Sequence, residues 1–401
     1  MKLVILTQYF IPEIGAPSNR LLELSKRLMK DGWELLVVTG MPNYPKGEIF
    51  NEYKGKFSAT ETAEGIKILR YWLYASNSGS KIPRIVSMIS FSITSMLSWF
   101  KLRKFKADYL FVESPPLTLA FSAYLLSFFS RSKMIMNVSD IWPLTAKELG
   151  VIGDGFIYDQ IEKLEKFLYK KSFLCTGQSE EIVNHISKTA GDKVYLFRNG
   201  VEVKRFTKPL PAVIVKGNIK IVYAGLIGIA QGIPDIARNI NFTELGAEFH
   251  IYGDGAERII LEKYLNDNPG RNIFLHNSVK RDDIPGLLSE FYCTIIPLVI
   301  NIYGAVPSKI YEAMATGLPI LFSGSGEGAK IISDNNAGLV SGPKDFEKLK
   351  ENISKLKNSI ELRNEMSVNC RKLAEENFDR DKLTDEFSAK LISIKNKINN
   401  K

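Results

Sequence analysis

The segment VPSKIYEAMATGLPI, residues 306–320, predicts a loop, a helix and the start of a buried strand. Pro307 and Ser308 are typical of a helix N-terminus, where a serine can cap free N–H groups and a proline loses no hydrogen bond. Gly317 can end the helix in a left-handed conformation, and Pro319 prevents its continuation. Because a helix N-terminus attracts anions, Lys309 in the first turn would add a positive charge at the same point.

Glu312 follows Lys309 by three residues and therefore lies on the same helical face, one turn further on. A phosphate near Lys309 would leave the Glu312 carboxylate within reach of the hydroxyl groups of a neighbouring sugar. The same spacing also describes an ordinary capped helix that exposes a Lys–Glu pair, and short motifs are weakly specific. The segment alone therefore leaves a nucleotide site and a purely structural helix as alternatives.

The string PSK-x-x-E-A-M-A-x-G-x-P-I-L resembles the donor-binding motif of the retaining, two-domain (GT-B) glycosyltransferases of family 4. In that family the glutamate before Ala-Met-Ala holds the ribose of a sugar nucleotide, which implies this role for Glu312. Many members carry a second glutamate eight residues earlier, which contacts the transferred sugar, whereas this chain has Gly304. The departure resembles the branch that builds bacterial O-antigen and capsule sugars, including N-acetyl-L-fucosamine transferases. It leaves the identity of the sugar open.

Length and composition bound the class of protein. At 401 residues, 45% hydrophobic and 24% charged, the chain is expected to be soluble and to form two globular domains. Its three cysteines are widely spaced, which favours buried thiols in a reducing cytoplasm over disulfides. The three histidines are far apart in the sequence, which argues against a histidine-built metal site. The apolar run at the N-terminus is too short for a signal peptide.

The net charge of +9 indicates an anionic partner or surface. Nucleic acid is one option, but no recognition motif or interleaved aromatic and basic pattern supports it. An anionic membrane surface is the other option, and we prefer it.

Short apolar runs alternate with longer helical patterns, which predicts an α/β protein with parallel sheets covered on both faces. The expected strands are 3–7, 35–39, 109–113, 134–138 and 173–176 in the first half, and 219–224, 248–252, 273–275, 294–297 and 320–322 in the second. This rhythm predicts two Rossmann-like, doubly wound parallel-sheet domains. The resemblance to family 4 implies that they face each other across a cleft in the GT-B arrangement. Ligands should bind beyond the carboxyl ends of the strands. The expected domains are 1–198, acceptor-binding and completed by a C-terminal helix at about 382–401, and 199–381, sugar-nucleotide-binding.

Glycine-containing turns supply further candidates. Gly225 and Gly228 follow the first strand of the second half, and glycines there allow a diphosphate to approach the backbone N–H groups. Related enzymes often have an Arg and a Lys at this turn; this chain has neither, which leaves Lys309 as the cation for the leaving diphosphate. Gly255 resembles the family's glycine segment near the nucleotide base, although a tight turn is an equal alternative. Gly15, in a loop that resembles the family's opening loop, would let the backbone approach the donor phosphates or the acceptor.

Two carboxylates follow expected strands of the first half. Glu113 closes one strand, and Asp140 lies in Asp-Ile-Trp-Pro, a string similar to one in the O-antigen branch. A carboxylate there could orient or activate an acceptor hydroxyl, or bond the transferred sugar; alternatively Asp140 caps a turn. With Lys309 these two are the catalytic candidates. The resemblance adds further substrate-binding candidates, namely Pro307, Ser308, Ile310 and Arg198.

Residues 81–106 form an apolar stretch with a basic collar. The run 85–100 contains no charge, and its flanks carry Lys81, Arg84, Lys101, Arg103, Lys104 and Lys106. One helical face would hold Ser87, Ser90, Thr94 and Ser98, and another would hold Ile89, Ile93, Leu97 and Phe100. The stretch is short for a membrane span, so it predicts either a helix lying on an anionic bilayer or a helix packed in the core.

The sequence therefore predicts a metal-independent retaining glycosyltransferase without a cofactor. We expect it to move a sugar, an N-acetylated or deoxy hexose, from a UDP-sugar to a lipid-linked or saccharide acceptor in bacterial surface polysaccharide synthesis. The expected location is the cytoplasm, at the inner face of the membrane. Three alternatives remain: a UDP-sugar epimerase of the same architecture, a non-catalytic nucleotide-binding protein, and a nucleic-acid-binding protein.

Overall fold

Two sheets organise the chain, each in a unit of its own. The computed structural model describes residues 1–76, 81–206, 217–300 and 302–399. Unit 1 consists of Met1–Arg198 with Asp381–Lys401, and unit 2 is Asn199–Arg380. The first boundary falls where the sequence places it, and the second lies one residue before the expected 381/382.

The strands of unit 1 form from apolar runs that helices cover on both faces. In its described part they are β1 (Lys2–Leu6), β2 (Glu34–Gly40), β3 (Ser58–Ala63), β4 (Ile66–Tyr71), β5 (Tyr109–Ser114), β6 (Lys133–Val138), β7 (Leu174–Gly177) and β8 (Val194–Leu196). They make one sheet in the order β3-β4-β2-β1-β5-β6-β7-β8, parallel throughout except for the β3–β4 pair. The carboxyl ends of β1, β5 and β6 therefore meet at one edge, which is where Asp140 and Glu113 were expected to lie.

The helices of unit 1 are α1 (Ala16–Lys30), α2 (Lys81–Ser95), α3 (Trp99–Phe105), α4 (Leu117–Ser130), α5 (Leu144–Glu148), α6 (Phe156–Lys171), α7 (Glu180–Ala190) and, after unit 2 in sequence, α15 (Arg380–Asn399). The last helix belongs to the core of unit 1. Phe387 stacks on Phe197 with ring centroids 4.4 Å apart, and the Tyr109 hydroxyl donates to the Leu391 carbonyl at 2.9 Å.

Three strands of unit 1 escape the sequence prediction. β3 alternates half-buried and exposed positions and carries no strong apolar signal, and β8 is only three residues long. β4 contains Arg70, which is fully buried because its guanidinium pairs with Glu61 at 2.6 Å and donates to the Gly40 carbonyl at 3.3 Å. Polar or charged residues in a strand hide it from a search for apolar runs.

The sheet of unit 2 is fully parallel. Its described strands are β9 (Ile219–Ala224), β10 (Ala247–Tyr252), β11 (Ile273–His276), β12 (Cys293–Pro297), β13 (Ile320–Ser323) and β14 (Gly338–Ser341), in the order β11-β10-β9-β12-β13-β14. Its helices are α8 (Ile233–Asn239), α9 (Arg258–Asp267), α10 (Ile284–Leu288), α11 (Ser308–Thr316), α12 (Glu327–Asp334), α13 (Phe346–Asn358) and α14 (Ile360–Asn377). Buried apolar side chains of α11 pack against α14 in the core.

The stretch 81–106 is helical, and it buries its hydroxyl-bearing side and exposes its apolar side. A 3₁₀ turn at Met96–Ser98 joins α2 to α3. By length and composition alone, Ile82–Phe105 could cross a membrane. Its serine and threonine face points inward: the Thr94 hydroxyl donates to the Trp72 carbonyl at 2.6 Å, and that of Ser92 to Thr118 of α4 at 2.9 Å.

The opposite side, which we call the apolar face, lies outside and consists of Ile82, Ile85, Ile89, Ile93, Leu97 and Phe100. Ile93 and Phe100 are 66% and 62% exposed, so a core role for this face is wrong. Phe128 and Phe129 at the end of α4 extend the exposed apolar surface, and the Trp99 ring lies 6.4 Å from that of Phe129.

Candidate functional site

The turn after β9 and the start of α11 come together in unit 2. Gly225 has φ +148°, and a Cβ built on it would lie 2.2 Å from Cε and 2.7 Å from Nζ of Lys309. No side chain other than hydrogen fits there while the lysine keeps its place. The sequence predicts Gly225 as a point where a phosphate can approach the backbone. The structure shows that Gly225 also leaves the space that the end of the Lys309 side chain occupies.

The backbone of this turn is only partly available to a ligand. The N–H of Gly225 donates to the Tyr252 carbonyl and that of Ile227 to the Asp254 carbonyl, both at 2.8 Å. These two N–H groups are therefore not available to the diphosphate that the sequence predicts at the Gly225–Gly228 turn. A Cβ on Gly228 would lie 3.0 Å from the Gln231 amide oxygen, so space is restricted there too.

Helix α11 begins and ends close to the predicted residues, but its N-terminus is built differently. Pro307 is the N-cap and Ser308 is the first helical residue, with no side-chain hydrogen bond capping the helix. Capping by Ser308 is therefore wrong, because Pro307 occupies the N-cap position from which a side chain can accept the N–H of N2 or N3. The Ile310 N–H donates to the Pro307 carbonyl at 3.0 Å, so the N–H groups of Ser308 and Lys309 are those that remain for an anion. Gly317 ends the helix at φ +73°, as predicted.

Lys309 and Glu312 are the two charged residues of α11. Neither side chain makes a hydrogen bond or an ion pair with the described residues; the Lys309 ammonium instead lies 5.4 Å from the centroid of the Tyr223 ring. Burial lowers the pKa of Lys309, opposed by Glu312, and burial raises the pKa of Glu312, opposed by Lys309, Arg281, Arg380 and Arg205. Half-buried unpaired charges are costly, so this pair is typical of a ligand site.

Two predicted binding residues of unit 2 have structural roles instead. Ile310 is fully buried in the core, because the helix turns this position toward the sheet. A Cβ on Gly255, at φ +151°, would lie 2.4 Å from the Ile227 carbonyl oxygen. Gly255 is thus needed where the turn after β10 packs on the turn after β9, and the tight-turn alternative is the correct one for its backbone.

In unit 1, Glu113 is the centre of a polar network at the carboxyl ends of β5 and β6. Its carboxylate accepts from Arg20 and Ser139 in short contacts and from the Asn137 amide at 2.9 Å. The Gln178 amide donates to Ser139 at 2.6 Å. With so many donors around it, Glu113 positions the network, and a role as free general base does not fit.

Asp140 lies beside this network and keeps its carboxyl group open. Burial raises its pKa, with Glu113 adding to the shift and Arg20 opposing it. No hydrogen bond or ion pair to the Asp140 side chain exists among the described residues. A half-buried carboxyl group with a raised pKa suits proton exchange with a hydroxyl.

The remaining predicted residues of unit 1 differ from expectation. Gly15 is the N-cap of α1 with φ −168°, an extended backbone that any residue adopts, and an added Cβ would lie 3.7 Å from the Tyr44 ring. Gly15 is therefore not required by its own conformation. Arg198 donates to Glu180 at 3.2 Å within unit 1, so that carboxylate is one of its partners in the structure.

Several charged groups near these sites were missed in the sequence. Arg20 lies in α1 and belongs to no recognised motif. Arg281 lies in a 3₁₀ turn that no sequence pattern predicted. His250 and His276, far apart in sequence, are neighbours on β10 and β11, with ring nitrogens 3.1 Å apart. Parallel neighbouring strands bring these distant segments of the sequence together. Even so, the described residues contain no group of three or more His, Cys, Asp or Glu that could hold a metal.

Comparisons with known proteins agree with this architecture. Residues 211–359 match the model of a family described as glycosyl transferases group 1. The chain is 24% identical to the putative colanic acid biosynthesis glycosyl transferase WcaI of Escherichia coli K12 over 334 residues, 79% of this chain and 82% of that protein.

Two solved structures cover nearly the whole chain. One is sucrose-phosphate synthase from Thermosynechococcus elongatus, with 13% identity, a TM-score of 0.77 and 98% and 99% of the two chains covered. The other is Anabaena HepE in complex with UDP, with 14% identity, a TM-score of 0.71 and 98% and 100% covered. The two-domain α/β fold with parallel sheets is that of GT-B glycosyltransferases, as the sequence predicts.

Proposed function

We propose that the chain is a retaining glycosyltransferase that uses a UDP-sugar donor in the synthesis of a bacterial surface polysaccharide of the O-antigen or capsule type. The observation that carries this proposal is the half-buried Lys309–Glu312 pair, unpartnered among the described residues and set beside the Gly225 turn. The family match of residues 211–359 and the likeness to WcaI, named for colanic acid biosynthesis, support transfer and polysaccharide synthesis. The UDP in the HepE structure supports the choice of nucleotide.

The donor would be held in unit 2. Glu312 would accept from the ribose hydroxyls, and Lys309 would face the diphosphate together with the open N–H groups at the start of α11. As the glycosidic bond to the leaving group breaks, negative charge grows on the diphosphate. Preorganised donors aimed at such charge contribute about 2.7–4 kcal/mol each. We propose that this cation and these N–H groups perform the task without a metal.

The acceptor would be held in unit 1. Asp140 is the residue that we propose to orient or activate the acceptor hydroxyl, and Glu113 fixes its surroundings through Arg20 and Ser139. The sugar that we propose is an N-acetylated or deoxy hexose, and the acceptor is a saccharide or a lipid-linked sugar. A protein that acts on lipid-linked sugars would work at the inner face of the cytoplasmic membrane, where the apolar face and the net charge of +9 suit an anionic bilayer.

Calorimetric titration with UDP, GDP and ADP in EDTA tests the donor half of the proposal. UDP should bind most tightly, and Glu312→Ala should weaken it by about 1.5–3 kcal/mol, the value of a hydrogen bond to a charged group. Glu365→Ala, which removes an exposed glutamate of α14, is the matched control and should bind as the parent does.

If none of the three nucleotides bound, or if Glu312→Ala bound UDP as well as the parent, the central motif would be structural and the proposal would have to be given up. Release of free UDP from a UDP-sugar without any acceptor product would favour an epimerase. Loss of UDP binding in EDTA, restored by a divalent cation, would contradict metal independence.

A further inference from the structure

A pocket of about 440 Å³ opens in unit 1, and its lining includes neither Glu113 nor the side chains that donate to it. Its walls are the loop after β1, the first turn of α1, Tyr44 and the first half of α2. Tyr9 and Tyr44 form one side, with ring centroids 5.9 Å apart in an edge-to-face arrangement. Arg84 and Ser87 of α2 also belong to the lining.

Three features of this pocket attract an anion. The first is the N-terminus of the 15-residue helix α1, where Gly15 supplies no side-chain cap. Pro17 has no N–H and the Asn19 N–H donates to the Gly15 carbonyl at 2.9 Å, so the N–H groups of Ala16 and Ser18 are those that remain for an anion. The second is the Ser18 hydroxyl, which lines the pocket, is 1% exposed and has no hydrogen-bond partner. The third is the Arg84 guanidinium, which makes no ion pair or hydrogen bond with the described residues.

The carboxyl group in the lining, Glu13, is engaged by backbone donors. Glu13 accepts backbone N–H groups on both oxygens, from Asn43 and Tyr44 at 2.8 and 2.9 Å and from Phe10 at 3.2 Å. Burial raises the pKa of Glu13 to about 7, which weakens its negative charge at neutral pH. Burial also raises the pKa of Tyr9 to about 12, so the phenol stays neutral. Glu13 therefore orders the two loops of the pocket and leaves Arg84 as the exposed charge.

The helix that supplies Arg84 also carries the apolar face. Arg84 and Ser87 of α2 line the pocket, whereas Ile85, Ile89 and Ile93 of the same helix are exposed to solvent. Exposed basic residues follow at the far end of the stretch; they are Lys101, Arg103 and Lys104. A phosphate site and a basic-rimmed apolar surface are thus continuous along one helix, which matches a ligand with a phosphate joined to a long hydrocarbon chain.

We propose that this pocket binds the phosphate of a lipid-linked acceptor, with Arg84, Ser18 and the N-terminus of α1 as its ligands and the apolar face as the surface for the lipid. The inference rests on the proposed transferase function for the sugar that follows the phosphate. The binding itself depends only on unit 1. A soluble donor diphosphate offers the same charge but has no hydrocarbon chain to cover the apolar face.

Vesicle binding of the full chain tests the proposal. The probes are phosphatidylcholine vesicles with polyprenyl monophosphate, vesicles with phosphatidylglycerol at equal charge, inorganic phosphate and UDP. Arg84→Ala and Ser18→Ala should each weaken binding to polyprenyl phosphate vesicles, Arg84→Ala by tenfold or more, while Arg84→Lys recovers part of the loss. Lys188→Ala, which removes an exposed positive charge on α7, is the control and should leave binding unchanged.

UDP binding should be the same in all of these variants. The proposal is overturned if Arg84→Ala and Ser18→Ala bind the polyprenyl phosphate vesicles as the parent does, or if the parent does not bind them. It is also overturned if phosphatidylglycerol binds equally well, which would indicate a general anionic surface. Loss of UDP binding in Arg84→Ala would assign the pocket to the donor. Failure of UDP to bind the parent, with the Arg84 effect on vesicles intact, would contradict the transferase and leave the lipid phosphate site standing.

Discussion

Replacing Gly225 by alanine should move Lys309 without unfolding the protein. The new Cβ would lie 2.2 Å from Lys309 Cε and 2.7 Å from Nζ, far inside van der Waals contact. Because both atoms belong to the end of a flexible side chain, the lysine can swing aside, and the ammonium leaves the position that we propose for the diphosphate. Losing one charged hydrogen bond of about 1.5–3 kcal/mol corresponds to UDP binding that is about 10- to 150-fold weaker.

Calorimetry with UDP and with uridine separates this effect from general damage. Uridine has no phosphate, so its affinity should be the same in Gly225→Ala and in the parent. Gly270→Ala is the matched control: it also puts alanine at a positive φ, +88°, but nothing lies within 4 Å of the new Cβ. Both variants should lose about 1–3 kcal/mol of stability from backbone strain, and only Gly225→Ala should lose UDP affinity.

The double variant Gly225→Ala/Lys309→Ala should bind UDP no more weakly than Lys309→Ala alone, because the glycine acts through the lysine. The reasoning is refuted if Gly225→Ala binds UDP as the parent does, or if uridine affinity falls as much as UDP affinity.

Three further predictions concern unit 1. The pKa of Glu13 is raised to about 7 from an ordinary 4.5, so the folded state favours the neutral carboxyl group. The free energy of unfolding should therefore fall by about 3 kcal/mol as the pH rises from below 4.5 through 7. The same pH dependence in Glu13→Gln would contradict this. Arg70→Met should cost about 3 kcal/mol in urea denaturation, the low end for a broken buried pair because Glu61 stays 29% exposed; a loss under 1 kcal/mol would argue against the pairing. Asp140→Asn should bind UDP normally but transfer sugar at least about 100-fold more slowly, and unchanged turnover would exclude it as the acceptor base.

The central strands and α11 could be predicted because local signals determine them. β9 consists of the predicted residues, Ile219–Ala224. A mostly apolar run between charged or glycine-rich segments is typical of a strand that helices cover on both faces of a parallel sheet. Gly317 likewise marked the end of α11 by its ability to adopt a positive φ. Both inferences need only neighbouring residues.

What the sequence could not provide is the direction in which a pattern faces. The periodicity of α2 separates a serine and threonine side from an isoleucine side, but it does not say which side the core takes. The structure buries the hydroxyls because α4 and the Trp72 strand end supply hydrogen-bond partners for them. The hydrogen-bond partners of Glu113 and His250 could not be predicted for a related reason, since they come from strands and helices that are distant in the sequence.

Packing separates the candidate binding residues of the motif into those that can contact a ligand and those that belong to the core. Lys309 and Glu312 are half-buried and make no hydrogen bond or ion pair with the described residues, whereas Ile310 between them belongs to the core. A motif preserves a helix as a whole, and only the three-dimensional packing distinguishes the residues that touch a ligand from those that hold the helix in place.

The burial of all three thiols has a practical consequence for spectroscopy. Cys175, Cys293 and Cys370 are buried, and burial raises the pKa of Cys175 and Cys293 to about 12, so the native protein should resist thiol-directed dyes. A cysteine placed at Phe100 would then be the single reactive thiol, already positioned on the outside of the helix. A polarity-sensitive fluorophore attached there would change its emission colour on contact with hydrocarbon and report how deeply this part of the molecule enters a bilayer.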